Sequence, residues 1–148
     1  MKGGGKARSA ARLAAVQALY QFDMERPALT ALLHEFHQHR LGAEIEDAQY
    51  AQADVDLFND IVKGVDARRE EIDALIAAKL AKGWSLARLD RTMLQILRAG
   101  AYELLARPDV PKGAAISEYV EVAHAFFEPR EAKFANGVLD AVARDVRT

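Results

Sequence analysis

Two short constellations, one near each end of the chain, place polar side chains at a spacing suited to binding chemistry. Arg8 and Arg12 are four residues apart, and Gln17 lies one residue beyond the next turn. On a helix, residues three or four apart share a face. Two guanidinium groups in that register suit phosphate oxygens, and a carboxamide that both donates and accepts suits a base edge. Near the other end, Lys133 and Asn136 are three apart and project from one side of a helix. An ammonium there meets a phosphate, and an amide meets a base edge or a ribose. The plain alternative for both sets is a solvated polar helix face.

Bond-making chemistry has weaker support. His34, Glu35, His37 and His39 form a cluster of metal-ligating side chains, with His34 and His37 on one helix face. A zinc centre needs three or four ligands and a supporting shell, and neither cysteine nor an HExxH motif supplies them. Surface histidines are expected instead. No Gly-rich phosphate loop and no nucleophile–base pair occurs, and Glu70-Glu71 reads as solvated helix surface. The sequence therefore points to a binding protein with no catalytic residue, metal or cofactor.

Asn136-Gly137 is the one place where local and global signals disagree. Asn-Gly normally marks a turn, yet here it falls inside a helical pattern, where glycine costs about 1 kcal/mol relative to alanine. Either a tight helix crossing or a ligand that needs room accounts for it.

The elements that hold these residues are helices. The chain has 148 residues, 51% hydrophobic and 28% charged, with a net charge of −2 and no cysteine. That is one ordinary globular domain with a sizeable core, not a disordered chain or a disulfide scaffold. No stretch reaches the roughly 18 apolar residues of a membrane span. The basic start, Met1 to Lys6, lacks the apolar core of an export signal because Arg8 and Arg12 interrupt it, so a cytoplasmic protein is expected. The charge is uneven: residues 1–22 carry four bases and no acid, whereas residues 23–81 carry thirteen acids and six bases. A globally basic nucleic-acid binder is excluded, while a local basic arm is not.

Apolar spacing follows the helical period throughout. Leu13, Val16, Leu19 and Tyr20 mark a first helix between Ala7 and Met24, stopped near Pro27. Leu29, Leu32, Leu33 and Phe36 mark a second, ending near His39. Leu41 to Gln52 reads as an acidic loop. Asp54 or Asp56 caps the next helix, whose stripe is Val55, Phe58, Ile61, Val62 and Val65. Ile72, Leu75, Ile76 and Leu80 form another, and the pattern leaves open whether Asp66 to Arg69 breaks the two. A short turn at Trp84-Ser85-Leu86 precedes the most apolar helix, which runs from Leu89 through Ala101 into Tyr102-Glu103-Leu104 and stops before Pro108. Ile116, Val120 and Ala123 face inward on the next, with Phe126 or Phe127 near its end. Pro129 opens a last helix with Phe134, Val138, Ala141 and Val142 inward. The fold class is all-α, about seven helices with short connections.

Four blocks then carry a family resemblance. Ala14-Ala15-Val16-Gln17-Ala18-Leu19-Tyr20 behind a basic arm resembles the opening of the transcription antitermination factor NusB family. Ile96-Leu97-Arg98-Ala99-Gly100-Ala101-Tyr102-Glu103-Leu104 resembles its central helix. Val110-Pro111 with Ala115-Ile116-Ser117-Glu118 resembles its VP…AINE stretch, and Lys133-Phe134-Ala135-Asn136-Gly137-Val138-Leu139-Asp140 its KFVNGVLD signature. The blocks occur in order at family spacing and span most of the chain. The resemblance implies a single NusB-like domain over 1–148, built from two small packed bundles of about 6–80 and 84–148. It implies binding to boxA-type RNA together with NusE, a small-subunit ribosomal protein, and assembly on RNA polymerase in a bacterial antitermination complex, notably on ribosomal RNA operons. Carried onto this sequence, its RNA-binding residues are Lys6, Arg8, Arg12, Gln17, Phe126, Lys133 and Asn136, with Phe126 stacking on an unpaired base or serving the core. Tyr20 and Met93 fall at partner-facing positions, Met93 where some relatives carry an acid. Ser9, Ala10 and Ala11 make the arm leaner in arginine than in many relatives. Ser117 replaces the Asn of AINE, and Arg130 adds charge beside the last helix. The competing readings are a helical scaffold that pairs as a homodimer, and an RNA-targeting accessory related to the N-terminal domain of ribosomal RNA cytosine methyltransferases.

Overall fold

The computed structural model describes residues 2–39 and 54–147, and these contain seven α-helices and no strand. They are α1 (Lys2–Glu25), α2 (Leu29–His39), α3 (Val55–Ala67), α4 (Arg69–Ala77), α5 (Arg91–Ala106), α6 (Lys112–Phe126) and α7 (Pro129–Val146). The acidic stretch Leu41 to Gln52 lies outside the described residues. The chain gathers into two compact units, Met1–Lys63 and Gly64–Thr148, the division falling within α3.

In the first unit α1 packs on α2. Pro27 follows the end of α1, and Arg26 leaves the helix with φ 56°. Asp54 is the residue that caps α3: its Oδ1 accepts from the Leu57 N–H at 2.9 Å. The core is assembled from Ala15, Val16, Leu32, Phe36, Phe58 and Ile61, all buried. The Phe36 and Phe58 rings stack with centroids 5.6 Å apart, and burial of each such side chain stabilises by about 1.5–3 kcal/mol.

In the second unit α5 is the central element, packed against α4, α6 and α7, while α6 and α7 also pack on each other. The α3–α4 ambiguity resolves as a break at one residue, Arg68, with φ −114° and ψ 25°. Asp90 starts α5 by accepting from the Thr92 and Met93 N–H groups at 2.8 and 3.1 Å. Every residue from Met93 to Leu104 is buried, which matches the most apolar stretch of the sequence. Two of its buried polar groups, Arg98 and Glu103, are paired across helices, as low-dielectric burial favours, while Gln95 Nε2 meets no hydrogen-bond partner among the described residues. Arg98 forks onto Asp73 of α4 with two bonds of 2.9 Å, and the Tyr119 O–H of α6 donates to Glu103 Oε2 at 2.5 Å. The Arg147 guanidinium, just past α7, donates to the Leu104 and Arg107 carbonyls at 2.8 and 2.9 Å. That bond set satisfies carbonyls left open at the end of α5.

Candidate nucleic-acid interface

Helix α1 separates the residues grouped by spacing. Arg8 and Gln17 are exposed, and so is Lys6. Arg8 reaches Asp54 only loosely, at 3.9 Å, an exposed pair of little energetic weight. Arg12, by contrast, is 4% exposed. Arg12 does share a face with Arg8, but it also lies four residues before Val16 and seven before Leu19, both buried. It therefore falls on the stripe that packs, not on the solvated side. Tyr20, counted in that apolar stripe from spacing, is an exposed large side chain.

The histidines differ in their surroundings. His34 is exposed, while His37 Nε2 lies 2.7 Å from Asn59 Oδ1 and its ring meets Phe58 edge-on at 5.9 Å. His37 thus ties α2 to α3. No group of three ligating side chains occurs among the described residues, and the His39 side chain lies outside them.

Lys133 and Asn136 are both exposed, and both line one open groove of about 840 Å³ between α6 and α7. Ile116, Val120 and Ala132 supply its apolar lining, and Ser117, His124 and Arg130 join Lys133 and Asn136 in supplying its polar one. The spacing of Lys133 and Asn136 predicted their common side; His124 carried no signal of its own, since α6 was read for its inward stripe. Phe126, at the end of α6, is 43% exposed and sits 6.4 Å from the Phe127 ring. An exposed aromatic there is available for stacking, and the core reading is set aside. Gly137 is exposed, and a Cβ built on it would meet nothing within 4 Å. Among the described residues, the tight crossing that was one explanation of Asn136-Gly137 is therefore absent.

A second groove, of about 530 Å³, opens on the opposite flank of α7 from Asn136, lined by Trp84, Met93, Phe127 and Phe134 among others. Met93 is 4% exposed and contributes buried lining there, not a protruding contact. Phe134 departs from the inward stripe expected of it. The buried face of α7 is Ala132, Ala135, Val138, Leu139, Val142 and Ala143, leaving Phe134 exposed. Trp84 is 54% exposed, with the Arg88 guanidinium 5.5 Å from its ring centroid, a cation–π distance. Neither Trp84 nor Phe134 was singled out for binding from the sequence, because Trp84 read only as part of a short turn and Phe134, at helical spacing, as core.

Two exposed sets of amide and cationic side chains, an exposed terminal aromatic and an open groove make up the geometry with which known proteins can be compared. The sequence profile of the NusB family matches residues 9–144. The chain belongs to the NusB family. A transcription antitermination protein NusB from Novosphingobium aromaticivorans is 76% identical over 143 residues, covering 97% of both chains. Its counterpart from Caulobacter vibrioides is 49% identical over 140 residues, covering 95% of this chain and 94% of the other. Among solved structures, a T. maritima NusB superposes with a TM-score of 0.76 at 30% identity, covering 93% of this chain and 91% of that one. A structure described as antitermination factors NusB and NusE in complex with dsRNA gives a TM-score of 0.74 at 25% identity, covering 94% and 97%. The all-helical NusB fold expected from the sequence is thus the fold observed.

Proposed function

We propose that the protein is a non-enzymatic transcription antitermination factor of the bacterial cytoplasm that binds boxA-type RNA together with NusE and assembles on RNA polymerase, notably during ribosomal RNA transcription. Family membership over residues 9–144 supports the role. The observation that carries the RNA reading is the α6–α7 groove, whose charged lining is cationic only and whose polar lining includes both Lys133 and Asn136. On α7 Lys133 holds a phosphate and Asn136 a base edge or ribose; on α1 Lys6 and Arg8 hold phosphates and Gln17 adds a base contact. Phe126 offers its exposed ring to an unpaired base. Arg12, being buried, supports the fold of α1 and is not assigned to the RNA surface. Tyr20 and the Met93 groove are assigned to the protein partner. No helix among the described residues is long and apolar enough to cross a membrane.

The groove beside Trp84 and Phe134 favours a second reading, in which two copies pair through that apolar surface. Light scattering of the purified chain mixed with NusE and boxA-type RNA separates the two. A ternary complex holding one copy of each component supports the antitermination reading. A dimer of this chain that persists and excludes NusE supports the scaffold.

A further inference from the structure

We propose that the groove between α6 and α7 is a single-nucleotide pocket that takes one unpaired base of the bound RNA with its phosphate. The inference deepens the RNA-binding reading and rests on it. At about 840 Å³ the groove falls in the size range of small-ligand sites, about 300–1,000 Å³. Ile116, Val120 and Ala132 give it the aliphatic lining on which a base face can lie. Ser117 and Asn136, each able to donate and accept, supply hydrogen-bonding groups for base or ribose edges.

The charge pattern selects the ligand. The charged residues that line the groove are Arg130 and Lys133, and no carboxylate does, in a chain whose net charge is −2. The other described grooves of this unit differ: the one beside Trp84 mixes Arg88 and Arg130 with Asp90 and Glu131, and the one at the α3–α4 junction mixes two arginines with three acids. A concentration of positive charge without a compensating acid is complementary to a phosphate. The 18-residue α7 also begins at this groove, with Pro129 lining it and no side-chain cap bond from Glu128. The positive end of the α7 dipole therefore adds to the Arg130 and Lys133 charges. An unpaired nucleotide matches the combination: one anionic group, one flat apolar face and polar edges.

The test is fluorescence anisotropy of the full chain with a boxA-type RNA in which each nucleotide in turn is made abasic. Wild type is expected to show one position where losing the base weakens binding about five-fold or more. Ser117→Trp fills the groove from an exposed position without changing charge. It should lower affinity for intact RNA by a similar factor and remove the abasic penalty at that one position, leaving the other penalties intact. Asn136→Ala, an exposed and fold-neutral change, should reduce the penalty at the same position. Ser117→Trp with wild-type affinity, or penalties that simply add, would overturn the pocket while boxA discrimination stands. Failure of wild type to distinguish boxA-type from scrambled RNA would overturn the RNA reading itself, and the pocket with it.

Discussion

Gly137 offers a test in which stability and binding are expected to move in opposite directions. It lies inside α7, exposed, with nothing within 4 Å of a built Cβ. Its backbone is not in the left-handed region, since Gly83 is the one described glycine with positive φ. Alanine therefore fits without strain, and Gly137→Ala recovers the helix-propensity difference of about 1 kcal/mol. For a chain of this size that raises Tm by about 2–4 °C. Gly64→Ala is the internal control. Its Cβ would overlap the ring of Tyr102, a buried side chain in the same unit, and overpacking of that kind costs about 1–3 kcal/mol. Urea denaturation followed by circular dichroism reads both. No described residue packs against Gly137, so on the proposed reading RNA approaches there, and Gly137→Ala should bind boxA-type RNA more weakly while being more stable. A loss of stability in Gly137→Ala would refute the structural reasoning, and unchanged RNA affinity would refute the functional half.

Three further outcomes are expected. Arg12→Ala should cost about 2 kcal/mol or more in urea denaturation, because a 4%-exposed guanidinium leaves its stem contacts and its partner behind; Arg8→Ala should leave stability within about 0.5 kcal/mol. Tyr119→Phe should destabilise by about 1 kcal/mol or more, since it removes the O–H that donates at 2.5 Å to the fully buried Glu103 carboxyl, and a neutral result in the same assay would show that bond to be dispensable. Lys6→Ala, Arg8→Ala and Lys133→Ala should each lower the slope of log affinity against log salt by about 0.7, the value per phosphate contact for single-stranded nucleic acid; an unchanged slope in a salt titration removes that residue from the RNA surface.

Much of the fold is written in local chemistry. The α2 stripe, the Asp54 cap, the buried α5 and the Pro129 start of α7 all follow from spacing and capping rules that act within a few residues. The common side of Lys133 and Asn136 was legible for the same reason. Arg12 was not, because spacing shows that Arg8 and Arg12 share a face but not which face packs; Val16 and Leu19 decide that, and they extend the buried stripe through Arg12. For Phe134 and Tyr20 spacing alone erred in the other direction, although the resemblance had placed Tyr20 at a partner-facing position. Both are large and apolar at helical spacing, yet small residues such as Ala135 and Ala18 take the buried places beside them. Close packing through alanines turns the larger neighbours outward, and periodicity weighted by side-chain size misses it. Grooves lined by residues far apart in sequence, such as Gly113 with Asn136, require the tertiary structure outright.

The most direct test of the central claim is fluorescence anisotropy with a short boxA-type RNA and a scrambled control, at two salt concentrations, with and without purified NusE. The account predicts tighter binding to the boxA-type RNA than to the control, a preference that survives the higher salt, and a gain in affinity when NusE is added. Equal, weak binding to both RNAs that higher salt erases, with no effect of NusE, would contradict it.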